Sequence, residues 1–244
     1  MSEKGKVVLA YSGGLDTSCL LKYLQDEGYD VVSCIASLGQ PSSERSDIEA
    51  ISDKAKSLGA VAAYDVDIRD EFCEDFVAKA IYANGMYENK YPLLSALSRP
   101  AICRHLVRVA QKEGAVAVAH GCTGKGNDQV RFELECKALD PTLDILGPVR
   151  SWNLTTRSSE IEYAQAHGIP VDATKASPYS IDENVWGRAI ECGVLENPWN
   201  QAPKGAWSIT VDPEEAPDEA RDVVIGFEAG LPVSIDGQRM KLYD

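Results

Sequence analysis

The chain has 244 residues, 44% of them apolar and 25% charged, ordinary values for a soluble protein with one large α/β domain, or one domain and part of another. Its net charge of −14 argues against sequence-independent nucleic-acid binding, where lysines and arginines must replace counterions, but leaves room for a locally positive pocket holding an anionic small molecule. Seven cysteines, an odd number without any C-x-x-C pair, and three isolated histidines (His105, His120, His167) predict reduced thiols in a cytoplasmic protein and no protein-built metal site.

No apolar run approaches the length of a membrane span, and Met1 to Gly5 lack the apolar core of a signal peptide. The first element is the apolar run Val7-Val8-Leu9-Ala10, which reads as a buried parallel strand. Leu20, Tyr23 and Leu24 follow at helical spacing, so a helix is expected from about Asp16. Between them stands Ala10-Tyr11-Ser12-Gly13-Gly14-Leu15-Asp16-Thr17-Ser18. Adjacent glycines let backbone N–H groups close on a ligand. The hydroxyls of Ser12, Thr17 and Ser18 add donors, and a helix N-terminus adds a positive dipole end. A phosphate chain suits such a cup; a plain strand-to-helix turn is the structural alternative. The stretch lacks the Gly-Lys-Ser/Thr of the Walker loop and the third glycine of the dinucleotide fingerprint.

A second strand is predicted over 30–36, a helix over 45–58 stopped by Gly59, a third strand over 61–66, and a helix over 70–82. Residues 84–100 have no clean period, and Pro92 argues against continuous helix there. A long helix is expected from about Arg99 to Glu113, then a strand over 115–120. Strands alternating with helices predict a doubly wound, mostly parallel sheet flanked by helices, whose ligands sit beyond the carboxyl ends of its strands. Two such ends carry glycine-rich text: Ser12-Gly13-Gly14, and His120-Gly121-Cys122-Thr123-Gly124-Lys125-Gly126-Asn127-Asp128 with Arg131 beyond it. Lys125 and Arg131 can neutralise a carboxylate or phosphate. A turn with a helix cap is the alternative for this second loop. Further on come a strand over 143–149, a helix over 158–167, and Pro-rich text. A domain boundary is expected near residue 170, and a strand pair at 223–227 and 231–235.

With both loops in view the chain resembles the argininosuccinate synthases, members of the ATP pyrophosphatase (PP-loop) superfamily. The resemblance rests on Ala10 to Ser18 and on His120 to Glu133. Further matching pieces are Ala36 to Gln40, Tyr91 to Pro100, His167 to Pro170, Ser180-Ile181-Asp182-Glu183-Asn184 and Leu195 to Pro198. It implies an adenine nucleotide α-hydrolase-like domain over 1–170 and the beginning of an α+β synthetase domain over 171–244, which the family continues beyond Asp244.

The resemblance also implies ATP-dependent joining of citrulline and aspartate, through a citrullyl-adenylate, with Mg²⁺ and a cytoplasmic homotetramer at full length. Ala10, Tyr11, Ser12, Gly13, Gly14, Leu15, Asp16, Thr17, Ser18, Ala36 and Gly121 would hold ATP. Thr123, Asn127 and Asp128 would hold aspartate. Tyr91, Ser95, Ala96, Asn127, Arg131, Ser180 and Ala189 would hold citrulline. Ser12, Asp16, Lys125 and Asp128 would position the reactants, with no covalent nucleophile. Ala96 and Ala189 depart from the family pattern, which often has serine there. Two other readings stay open: a nucleotide-binding module without turnover, and another PP-loop ligase such as a tRNA-modifying enzyme.

Overall fold

Strand residues alternate between two faces, and this chain makes both faces apolar. In the computed structural model, which describes residues 3–40, 45–124, 126–154, 156–170, 179–206 and 209–244, β1 (Lys6–Ala10) lies between β2 (Asp30–Ser37) and β4 (Ala117–Ala119). With β3 (Ala62–Asp67) and β5 (Asp144–Leu146) they form a parallel sheet in the order β3-β2-β1-β4-β5. Val7 and Leu9 point to one side, against Cys19, Leu20, Leu21 and Leu24 of α1 (Leu15–Asp26), Ala55 of α2 (Arg45–Ser57) and Ala164 of α7 (Arg157–Ala166). Val8 and Val32 point to the other, against Cys103, Leu106, Val107 and Ala110 of α5 (Leu94–Glu113) and Phe132 and Cys136 of α6 (Asp128–Leu139). The α5 residues recur at i, i+3, i+4 and i+7, one face of a helix. Each fully buried leucine on α1 contributes roughly 1.5–3 kcal/mol. The expected doubly wound sheet is therefore present, parallel throughout.

The segment predicted as one helix over 70–82 is three joined pieces, α3 (Arg69–Phe72), a π segment (Cys73–Val77) and α4 (Ala78–Tyr82). α3 and the π segment are tied to α5 by ion pairs from Glu71 to Arg104, His105 and Arg108 at 3.4, 2.9 and 3.3 Å, and from Asp75 to Arg104 at 2.6 Å. Burial pushes the Glu71 carboxyl up, but His105, Arg108 and Arg104 outweigh it and hold its pKa below the ordinary value. A depressed folded-state pKa means stability that is present above the unfolded pKa and lost as pH falls through the folded one. Glu71→Gln is expected to cost about 1 kcal/mol near neutral pH, after discounting for solvent screening, and progressively less as pH falls through the carboxylate range. Urea midpoints measured across that range check it.

Several elements differ from those expected from the sequence. α5 begins at Leu94, five residues before the expected start, with Pro100 inside it. Residues 84–100 show no helical period because the first turn is held from outside: Asn184 Nδ2 donates to the Leu94 carbonyl and Trp186 Nε1 to the Pro92 carbonyl, at 3.0 and 2.7 Å. β4 and β5 are each three residues long, shorter than expected. After β5 the chain turns into a 3₁₀ segment, Pro148–Arg150. Helix α6 had no stripe to reveal it, because Val130, Leu134 and Leu139 are exposed and its burial rests on Phe132 and Cys136.

Beyond the parallel sheet, β6 (Ser180–Asn184) and β7 (Gly187–Glu191) form an antiparallel hairpin where only irregular text was expected. The Val185 N–H donates to the Leu38 carbonyl at 2.8 Å, joining its turn to the end of β2. The predicted C-terminal pair is found as β8 (Ile225–Glu228) and β9 (Leu231–Ile235), with β10 (Gln238–Arg239) as a third antiparallel strand. The expected domain boundary abuts residues 171–178, which lie outside the described residues. No helix among the described residues is long and apolar enough to cross a membrane.

Candidate functional site

The strand order places β1 beside β4, where connections leave in opposite directions across the sheet. Such a switch point opens a crevice beyond the carboxyl ends of the strands. The two glycine-rich loops follow these two strands, so the topology brings them together: a Cβ on Gly121 would stand 3.7 Å from the Thr17 methyl.

In the first loop Gly13 has φ +77°, and a Cβ there would meet Ile51 Cγ2 of α2 at 2.8 Å. Lys54 of the same helix donates to the Gly13 carbonyl at 2.7 Å. Gly14 is the N-cap of α1, and no side chain caps that helix; a helix start of this kind suits an anion. The Ser12 and Thr17 hydroxyls lie 3.1 Å apart on the exposed side of the loop. Ser18 corrects one expectation. Its side chain is buried, donating to the Gly14 carbonyl at 2.7 Å with the Tyr11 hydroxyl 3.0 Å away. Its hydroxyl braces the turn and offers nothing to the cup.

In the second loop His120 is buried and stacks on Phe132, and its Nδ1 accepts the Cys122 N–H at 3.2 Å. Burial lowers its pKa, and since Nδ1 accepts, the neutral ring carries its proton on Nε2, 3.8 Å from Glu133 Oε1. Asn127 is the N-cap of α6, and its Oδ1 accepts from Arg131 Nε at 2.9 Å. Asp128 opens the helix. Thr123 is exposed on the loop, and Lys125 lies outside the described residues.

Two cavities flank these loops. One, of about 380 Å³, is lined by Ala10, Tyr11, Ser12 and Ala36, by Ile48 and Ile51 of α2, and by Arg99, Ile181, Asp182 and Glu183. The other, of about 640 Å³, is lined by Tyr91, Ser95, Ala96, Asn127, Asp128, Arg131, Asp182 and Ala189. Of the residues expected on ATP, Ala10, Tyr11, Ser12 and Ala36 line the first space and the others line neither, while all those expected on citrulline except Ser180 line the second. Ser180 lines neither; it is exposed at the start of β6. Pro100 supplies no N–H to the Ala96 carbonyl, so that residue of the second cavity keeps a backbone acceptor free of its usual helical partner.

Arg99 and Asp182 went unassigned in the sequence reading. The Arg99 guanidinium is 16% exposed and donates from Nη2 to Asp128 at 2.8 Å and to Asp182 at 2.9 Å, and Ser95 Oγ donates to the same Asp182 oxygen at 2.8 Å. Burial works against the Arg99 charge, but the two carboxylates outweigh it and raise its pKa. Both residues sit inside stretches that carried the resemblance, yet a single sequence has no sign that α5 and the hairpin meet. Cys122, half-buried beside them, is pushed up to about 11, chiefly by burial, and so stays a neutral thiol near pH 7.

A parallel sheet with helices on both faces and a glycine-led helix N-terminus at its switch point defines a doubly wound α/β protein. Comparison with known families is more specific. Residues 6–170 match the arginosuccinate synthase N-terminal HUP domain, and residues 179–244 match the arginosuccinate synthase C-terminal domain. Proteins named argininosuccinate synthase are 56% identical in Streptococcus thermophilus, over 99% of this chain and 59% of the relative, and 54% identical in Bacillus pumilus, over 100% and 59%. The one from Geobacillus thermodenitrificans is 53% identical over 97% of this chain and 57% of the relative. The chain belongs to the argininosuccinate synthase family. It spans about three-fifths of the length of these curated relatives.

Proposed function

We propose that this chain carries the ATP site and much of the amino-acid site of an ATP-dependent ligase joining citrulline to aspartate. The observation that carries the reading is the pair of cavities sharing Asp182, one lined by Tyr11 and Ser12 where β1 leads into the glycine turn, the other bearing a guanidinium, an amide and carboxylates at residues 127–131 and 182. In this reading the N-terminus of α1 with Ser12, Gly13 and Gly14 cradles the ATP phosphates, Ala36 meets the adenine, and Gly121 completes the nucleotide site. Thr123, Asn127 and Asp128 hold aspartate, Asp128 accepting from its ammonium group. Tyr91, Ser95, Asn127 and Arg131 hold citrulline against the walls made by Ala96 and Ala189.

The ureido oxygen of citrulline attacks the α-phosphate and pyrophosphate leaves; the aspartate amine then attacks the activated ureido carbon and AMP leaves. The rate enhancement comes from positioning and from backbone donors aimed at the developing charge. Among the described residues no three His, Cys, Asp or Glu side chains converge as a metal site. One carboxylate plus substrate phosphates is the usual Mg²⁺ arrangement, and Asp16 at the head of α1 suits it. Mg²⁺ so bound would neutralise charge on the departing pyrophosphate. The domain division near residue 170, a cytoplasmic location and a homotetramer belong to the same reading.

The test is pyrophosphate release from ATP. It is expected to require citrulline, with AMP release requiring aspartate as well. Equal pyrophosphate release with citrulline omitted would overturn the reading; ATP binding without release under any combination would leave a nucleotide-binding module.

A further inference from the structure

We propose that Arg150 is a positioning residue that sets the backbone at Gly124 and Gly126, in the glycine-rich second loop, from beneath, through Gln129. The inference rests on the reading of that loop as the amino-acid loop. Arg150 ends the 3₁₀ segment after β5, and three neighbours fix its guanidinium. Nη1 lies 2.6 Å from Glu133 Oε1 and donates to Gln129 Oε1 at 3.1 Å, while Nε donates to the Gly147 carbonyl at 3.4 Å. Gln129 passes the constraint on. Its Nε2 donates to the carbonyls of Gly124 and Gly126, at 3.0 and 3.5 Å.

The glycines fit this arrangement. A Cβ on Gly147 would stand 2.8 Å from Arg150 Nη2, so the guanidinium lies close on the backbone there and would have to shift for any larger residue. A Cβ on Gly124 would stand 3.7 Å from Arg150 Cγ, so the aliphatic stem of the arginine packs under the loop itself. Glycine-rich backbone has the most conformational freedom to lose, and a loop of this composition needs an external brace to hold one shape. Glu133, held by Arg150, also faces the buried His120 ring at the start of the loop, at 3.8 Å. Both ends of the loop are thus referred to one guanidinium that lines neither cavity of the site.

Loop order can be read without any ligand, through the half-buried thiol of Cys122. The other cysteines are buried except Cys192, which is replaced by serine in the test background. Arg150→Ala is expected to speed iodoacetamide labelling of Cys122 about tenfold, and Gln129→Ala in the same direction, as fits loss of a hydrogen bond to a charged group. The double variant should label no faster than Arg150→Ala alone, because the two act in series. The aspartate concentration for half-maximal AMP release should rise about tenfold in Arg150→Ala, with the maximal rate within about threefold and ATP affinity unchanged. Unchanged labelling in both variants, or ATP affinity falling in parallel, would overturn the proposal. Gln129→Ala keeps the Arg150–Glu133 pair and decides the matter if Arg150→Ala does not fold. If the parent protein releases no AMP with aspartate, the ligase reading fails, and labelling alone still decides the role of Arg150.

Discussion

Gly13→Val is expected to weaken ATP binding at least about 100-fold, with the protein still folded. Two independent costs meet at that position. The φ of +77° is left-handed, a region that costs an L-residue roughly 1–2 kcal/mol and a β-branched one more. The new Cβ would also stand 2.8 Å from Ile51 Cγ2, and overpacking of this kind costs roughly 1–3 kcal/mol. The turn relieves both by changing shape, which turns its N–H groups away from the phosphates. Gly13→Ala should fall between, at about tenfold. Adding Ile51→Ala should relieve the steric part and leave the backbone part. Equilibrium titration with ATP reads all three, and unchanged affinity in Gly13→Val would refute the cup.

Arg99→Met is expected to destabilise the fold by about 2 kcal/mol, some thirtyfold in the unfolding constant. Breaking a fully buried pair costs more, but Asp128 and Asp182 are partly solvated, at 30% and 42% exposure, and water takes up part of the loss. Without the guanidinium two carboxylates from different elements face the same space. Asp182→Asn in the Arg99→Met background should therefore recover part of the stability, and added salt should narrow the gap by screening. Denaturant midpoints check both. A double variant no more stable than Arg99→Met would show that Arg99 acts by packing alone.

The central sheet was legible because each strand carries its own evidence. Val7, Val8 and Leu9 are apolar on consecutive positions, as a strand covered on both faces requires. Elements that depend on partners were not legible. The first turn of α5 forms against a proline because Asn184 and Trp186, some ninety residues away, hold it. Helix α6 shows no stripe because only Phe132 and Cys136 of it are buried in the core, beside α5. The hairpin β6–β7 alternates weakly, since the successive residues Ile181, Asp182 and Glu183 all line the first cavity, and Asp182 the second as well, instead of dividing between a core and solvent.

The same division runs through the site. The sequence by itself determined the local architecture: a strand, a glycine turn and a helix start, all within residues 7–20. That information is local because backbone conformation depends on the residue at each position. Only the tertiary structure decided which hydroxyls face outward, placing Ser12 and Thr17 at the rim and turning Ser18 inward to Tyr11. It also brought Arg99 between Asp128 and Asp182, and Arg150 beneath the second loop. Those pairings join elements tens of residues apart, and charge seeks its partner through space, not along the chain.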